Sequence, residues 1–236
     1  MDYLEPCQYS TRLIEKLQSL DTEEALDFKL IDKAIYWAKK YHDGQFRKSG
    51  EPFYTHPLEV AYMVSEYKLK TDVIVTAILH DIVEDTEVTA GMILDEFGRR
   101  IEEMVNRLTR DRPDGSKLSV ETILNNAYEK GDKEVLLIKV IDRLHNMQTL
   151  GAKSLEKQKK TVDQTFNLFV TLSVFIEVYL IERQVTQLCF KYLKKDIPQN
   201  FQKEDFILIP ESIKLEDQHE LLSQVYQNNV NLCQNI

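Results

Sequence analysis

Three segments of this chain carry residues whose types and spacing suit chemistry on a charged substrate. In the first, the run Val73-Ile74-Val75-Thr76-Ala77-Ile78-Leu79 empties into His80, Asp81, Glu84 and Asp85. A helix that is apolar on every side is buried, so the polar groups at its end lie in the interior or line a cleft, where they need partners. Carboxylates there also meet the negative end of the helix macrodipole, which costs a few tenths to ~1 kcal/mol each unless a cation is near. A bound metal ion answers that problem. Read as one helix, the segment pairs His80 with Glu84 and Asp81 with Asp85 at i,i+4. Each column then holds one potential metal ligand and one potential acid or base.

The second segment, RKSGEPFYTHPLEVA (47–61), has turn residues at Gly50 and Pro52 and delivers His56 to the start of a helix, with Pro57 in the tolerated first turn. The third, from Val135 to Met147, is a largely apolar helix interrupted by Asp142. His56, His80, Asp81 and Asp142 thus form a set of two histidines and two carboxylates. A mixed nitrogen and oxygen shell suits Mn²⁺, Fe²⁺ or Zn²⁺ better than Ca²⁺ or Mg²⁺, and the absence of nearby cysteine argues against a structural zinc site.

The elements that must hold these groups read as helices. Apolar residues recur at helical spacing in Ala34-Ile35-Ala38, Met92-Ile93-Phe97, Ile101-Met104-Val105-Leu108 and Phe166-Phe169-Val170-Ser173, and no segment sustains strand alternation. The expectation is an all-α bundle of about eight to eleven helices without a sheet. With 236 residues, 43% of them hydrophobic, the chain can bury a sizeable core as one large domain or one domain plus a tail. No charged-then-apolar leader opens the chain and no apolar stretch reaches bilayer length, so a cytoplasmic protein without membrane contact is expected. Cys7, Cys189 and Cys233 form no metal or redox spacing and suit a reducing compartment.

A net charge of −9 disfavours nucleic acid as a partner, and it requires local basic groups wherever a polyanionic substrate binds. Arg47 and Lys48 share a short segment with His56; Arg107, Arg110, Arg112, Lys153, Lys157, Lys159 and Lys160 are further candidates. Arg47 can stack its guanidinium plane on a purine as well as carry charge. His145, beside a helix end, reads as structural.

The ordered motifs RKSGEPFYTHPLEVA, AILHDIVEDT and IDRLHNMQTLGA resemble the hydrolase domain of the RelA/SpoT family of alarmone enzymes, a branch of the HD phosphohydrolases. The likeness covers roughly 26–193. It implies an all-helical HD domain at 26–156 that binds one Mn²⁺ and removes the 3′-pyrophosphate of ppGpp and pppGpp, preceded by a helical lead-in at 1–25. Residues 157–193 resemble the helices that link to a synthetase domain in bifunctional members. The remainder, 194–236, is too short for such a domain, so a hydrolase-only chain with a tail and a short terminal helix (213–225) is expected. By resemblance Arg47 stacks on the base, Lys48 and Ser49 contact the nucleotide, and Asn146 and Thr149 lie beside ribose and base; Arg110 stands where the family has a lysine.

Hydrolysis of a pyrophosphate ester needs an activated water, neutralised phosphoryl oxygens and a proton for the departing oxygen. Glu84 is assigned to the water and Asp85 to proton transfer, with the two roles exchangeable. Departures from the family lie at 171–177, where a Pro-Leu-Ala and Arg-Leu-Gly pattern is replaced, and at 109–130. Alternative readings are another HD-type nucleotide phosphohydrolase, such as an NADPH phosphatase, and a non-catalytic alarmone-binding module.

Overall fold

Capping residues set where many of the helices begin. In the computed structural model, which describes residues 3–111 and 115–193, the chain runs through α1 (Gln8–Leu20), α2 (Phe28–Tyr41), α3 (Thr55–Val64), α4 (Thr71–Leu79), α5 (Ile82–Asp85), α6 (Ala90–Phe97) and α7 (Arg99–Leu108). It continues through α8 (Val120–Glu129), α9 (Lys133–Gln148), α10 (Leu155–Gln164), α11 (Thr171–Phe175) and α12 (Tyr179–Leu193). Side-chain oxygens of Asp27, Thr89, Ser119 and Asp132 accept from backbone N–H groups three residues on, satisfying donors that the first turns of α2, α6, α8 and α9 leave open. Gly98, at φ 83°, makes the tight passage from α6 to α7 in a conformation that L side chains rarely adopt.

Among the described residues there is no strand, only two isolated antiparallel bridges, Phe46 with Pro52 and Asp111 with Lys117. The all-α expectation holds. The described residues form twelve α-helical segments, but α10 and α11 are joined through a π-helical stretch at Thr165–Val170, and α5 is a single turn. Taken as one rod plus a turn they leave ten helices, within the expected range. The expected tail features at 194–236, Arg112 and Cys233 lie outside the described residues.

Two helices form the centre. Every residue of α4 from Val73 to Leu79 is buried, and α4 packs against α2, α3, α7 and α9. The larger α9 buries Val135 to Asp142 continuously and touches α3, α4, α7, α8, α11 and α12. Because α3, α4 and α9 all pack on one another, the three helices that carry His56, His80 and Asp142 converge before any ligand binds. On the far side, α10 to α12 close over α9, where the Arg143 guanidinium lies 4.4 Å from the ring centroid of the fully buried Phe169 and its Nη2 donates to Gln164 at 2.9 Å.

A single change tests the packing of the central helix. Ile78 is 1% exposed, so Ile78→Ala should destabilise the protein by about 2–5 kcal/mol through lost transfer energy and a residual cavity. Urea unfolding measures this; a loss under ~1 kcal/mol would show that α4 is loosely packed.

Candidate metal centre and active site

The apolar run does end in the polar cluster, but not as one continuous helix. α4 stops at Leu79, His80 caps it, and Asp81 at φ −102°, ψ −5° starts the separate turn of α5. The expected i,i+4 columns of a single helix are therefore corrected: the chain bends at His80 and Asp81, the expected ligands, before Glu84 and Asp85, the expected acid/base pair. Only the local turn survives, in the bonds from Glu84 N and Asp85 N to Asp81 O at 3.1 and 3.0 Å. Backbone in this sparsely populated bridge region is common where a side chain must be aimed.

The bend lets three helices contribute to one point. Ligand atoms of His56, His80 and Asp142 all lie within 4.8 Å of one another. Asp81 Oδ2 adds to them, at 3.5 Å from His56 Nε2 and 3.2 Å from His80 Nε2, while Asp142 Oδ1 lies 3.2 Å from His56 Nε2 and 3.8 Å from His80 Nε2. His56 and His80 are each 1% exposed. His80 Nδ1 sits 2.9 Å from the Ala77 carbonyl, so it carries the proton and donates, leaving the Nε2 lone pair facing the carboxylates. That Nε2 is the one buried side-chain polar atom among the described residues with no hydrogen-bond partner.

A lone pair directed at carboxylate oxygens is repulsive unless something positive lies between them. The electrostatics express the same demand. Burial opposes a charged imidazole, yet Asp81, with Asp142 behind it, pushes His80 up to about 10. Burial likewise opposes the carboxylates, but His80 and His56 hold Asp81 far below the usual range, and Lys139 with the same histidines does so for Asp142. A proton is one answer to this excess of negative potential. A divalent cation on two nitrogens and two carboxylates is another, and the donor set fits it.

Further residues orient these groups. Asp142 Oδ1 accepts from Asn146 Nδ2 at 2.5 Å, and the buried Lys139 Nζ stands 3.4 Å from Oδ2. Arg47 Nη2 donates to Asn146 Oδ1 at 2.9 Å and to Thr149 Oγ1 at 3.1 Å, so three of the residues expected at the nucleotide do meet. Their loop is closed by Arg47 N donating to Glu51 O and Gly50 N donating to Arg47 O, both 2.9 Å, with Gly50 at φ 99°. Lys48 is exposed beside Arg47, and Ser49 Oγ donates to Glu51 within the same turn at 2.6 Å.

Glu84 is held by the other loop, its Oε1 accepting from the backbone N–H of Arg110. The Arg110 side chain is engaged within that loop, with Nε donating to the Leu118 carbonyl at 3.0 Å. Arg107 is spent structurally on Asp132 and Glu103. Burial, then the charges of Asp81 and Glu84, push Asp85 up to about 6. A cation held by Asp81 would cancel part of that rise.

Sequence reasoning missed several supports. Gln45 Nε2 donates to the Asp85 carbonyl at 2.7 Å, and its Oε1 lies 2.9 Å from Nδ1 of the buried His42, whose ring packs on Phe53. Gln45 and His42 lie just upstream of the 47–61 segment, and that proximity was the only signal they offered. His145, expected to be merely structural, lies with its Nδ1 2.8 Å from Nδ1 of His56. Burial, then His56 and Arg47, push His145 down to about 3, so it is neutral. Its position three residues after Asp142 was the available signal.

Comparison with known proteins follows the same lines. A family described as the HD domain matches residues 34–174. A protein named GTP pyrophosphokinase from Myxococcus xanthus is 35% identical over 187 residues, covering 74% of this chain and 24% of that protein. One named guanosine-3′,5′-bis(diphosphate) 3′-pyrophosphohydrolase from Aquifex aeolicus is 33% identical over 196 residues, covering 80% of this chain and 27% of the relative. The chain thus spans about a quarter of the length of these curated relatives. A solved structure, described as a metazoan ortholog of SpoT that hydrolyses ppGpp, superposes with a TM-score of 0.56 at 20% identity, covering 69% of this chain and 94% of that one. This last likeness concerns the fold. Among the described residues no helix is long and apolar enough to cross a membrane.

Proposed function

The chain belongs to the HD domain family, and on that premise we propose that it is a Mn²⁺-dependent guanosine-3′,5′-bis(diphosphate) 3′-pyrophosphohydrolase, converting ppGpp and pppGpp to GDP and GTP with release of pyrophosphate. The observation that carries this reading is the continuous chain of hydrogen bonds from Arg47 through Asn146 to Asp142. It links the residue proposed to stack on guanine, through one shared side chain, to a proposed metal ligand, so that base and reacting group would be held by connected parts of one site. The curated relatives that carry the pyrophosphohydrolase name support the substrate class.

His56, His80, Asp81 and Asp142 would hold the ion. When bound, it neutralises phosphoryl oxygens and acidifies water. The protein's own residues do the rest. Arg47, Asn146 and Thr149 hold base and ribose, and Lys48 and Ser49 meet the nucleotide from the adjoining turn. Glu84, fixed by the Arg110 amide as an oriented acceptor, takes the proton of the attacking water. Asp85, which burial and the neighbouring Glu84 still push above the usual carboxylate range when a cation offsets Asp81, supplies the proton to the 3′ oxygen as its bond to phosphorus breaks. The free cysteines Cys7 and Cys189 fit a cytoplasmic setting.

The test is a nucleotide panel. Purified protein with Mn²⁺ should turn over ppGpp and pppGpp in preference to GTP, GDP and NADPH and should release intact pyrophosphate. Arg47→Ala should weaken binding of the guanosine substrates by ~0.5–2 kcal/mol, the range for a cation stacked on a partly desolvated ring, without loss of metal. Release of single phosphates alone, or faster cleavage of NADPH than of ppGpp, sinks the alarmone reading in favour of another phosphohydrolase.

A further inference from the structure

We infer that His145 is a positioning residue for the metal centre, its Nδ1 accepting a hydrogen bond from His56 Nδ1–H and thereby holding the His56 Nε2 lone pair on the cation site. The inference rests on the metal-centre reading proposed above. Two imidazole nitrogens 2.8 Å apart attract only when one carries a proton and the other a lone pair. Which is which follows from the opposite edge of the His56 ring. His56 Nε2 lies 3.2 Å from Asp142 Oδ1 and 3.5 Å from Asp81 Oδ2, the position where a cation would take its lone pair. A neutral imidazole that gives up Nε2 keeps its one proton on Nδ1. His145 Nδ1 is then the acceptor, and the His145 proton resides on Nε2.

The contact restrains the ring plane as well as the tautomer, since the two imidazole planes lie at 33° to each other with centroids 4.8 Å apart and their Nδ1 edges meeting. Metal-bound histidines commonly donate their second N–H to an oxygen, as His80 does to the Ala77 carbonyl. His56 has a ring nitrogen in that place instead. His145 stands on α9 at i+3 from Asp142, so the helix that supplies one ligand also braces a ligand from α3. The brace is therefore built across the helix pair that forms the site.

Metal affinity separates this role from simple packing. His145→Phe keeps the volume of the ring and removes the acceptor; His145→Asn keeps an acceptor near the position of Nδ1. Calorimetric titration of the metal-free proteins with Mn²⁺ and Zn²⁺ should show affinity about 10–100-fold weaker for His145→Phe and within a few-fold of wild type for His145→Asn. The metal-free melting temperatures of the two variants should match. In wild-type protein loaded with Zn²⁺, ¹⁵N chemical shifts should show His145 protonated at Nε2 and His56 at Nδ1. Wild-type affinity in His145→Phe alongside lost binding in His56→Ala overturns the inference and leaves the metal centre standing. Equal weakening in Phe and Asn, or a proton on His145 Nδ1, also overturns it. Wild-type affinity in His56→Ala overturns the metal-centre reading itself.

Discussion

Replacing Asp142 by asparagine is expected to strip the bound metal from the protein and to lower turnover by on the order of 10³-fold or more, the loss expected when electrostatic neutralisation of the phosphoryl group fails. Asp142 joins the metal-ligand cluster to the Arg47–Asn146 pair. It is 7% exposed, its Oδ1 faces both imidazoles and accepts from Asn146, and its Oδ2 neutralises the buried Lys139. Asparagine keeps the volume and removes the charge. The variant therefore distinguishes loss of a ligand from collapse of the helix pair better than alanine, which would also leave Lys139 in a cavity. Breaking a buried pair by removing one partner costs about 3–5 kcal/mol, so Asp142→Ala should also melt at a lower temperature. Metal analysis of the purified variant, with circular dichroism to confirm the helical fold, decides the matter. Full metal content in a folded Asp142→Asn protein would falsify the ligand assignment.

The helices of the site were legible in the sequence because burial writes itself into composition. Val73 to Leu79 is apolar all round because α4 is enclosed by α2, α3, α7 and α9, and no amphipathic face remains to be read. The interrupted apolar pattern of α9 identified Asp142 for the same reason: an acid inside such a run requires a partner. What sequence could not convey was the bend at His80 and Asp81. Helical periodicity through 80–85 is equally compatible with a continuous helix, and the turn after the break is held by groups distant in sequence, the Arg110 amide on Glu84 and the Gln45 side chain on the Asp85 carbonyl. Backbone donors have no signature in residue types. The π-helical stretch at Thr165–Val170, which carries the buried Phe169 packed under Arg143, has no signature in residue types either.

The nucleotide side of the site was less legible than the metal side. Arg47 is 99 and 102 residues from Asn146 and Thr149, and the fold, with α3 packed on α9, brings them together. Their grouping in the sequence reading came from resemblance, and the hydrogen bonds give it a physical basis. His145 shows the converse. Its spacing from Asp142 was visible, but a histidine at a helix end is ambiguous until its partner is known.

Converting Glu84 to glutamine and Asp85 to asparagine together should leave the metal in place and nucleotide affinity broadly intact while cutting turnover by ~10²-fold or more. The amide of glutamine still offers an oxygen to the Arg110 N–H, so the α5 turn keeps its anchor; what is lost is the capacity to take a proton from water. Asparagine at 85 keeps the backbone bond to Gln45 and loses the dissociable proton of a carboxyl that burial, Asp81 and Glu84 push up to about 6. Each single change should account for most of the deficit, because proton removal at the water and proton delivery at the leaving oxygen belong to one displacement, and residues acting as a unit are not additive. Their separation is testable with the substrate itself. A 3′ leaving group of lower pKa needs less protonation, so turnover of an activated 3′-phosphoryl ester should recover in Asp85→Asn and stay low in Glu84→Gln. Recovery in both, or in Glu84→Gln alone, would exchange the two roles or dissolve the distinction, and unchanged turnover in the double variant would remove both carboxylates from the chemistry.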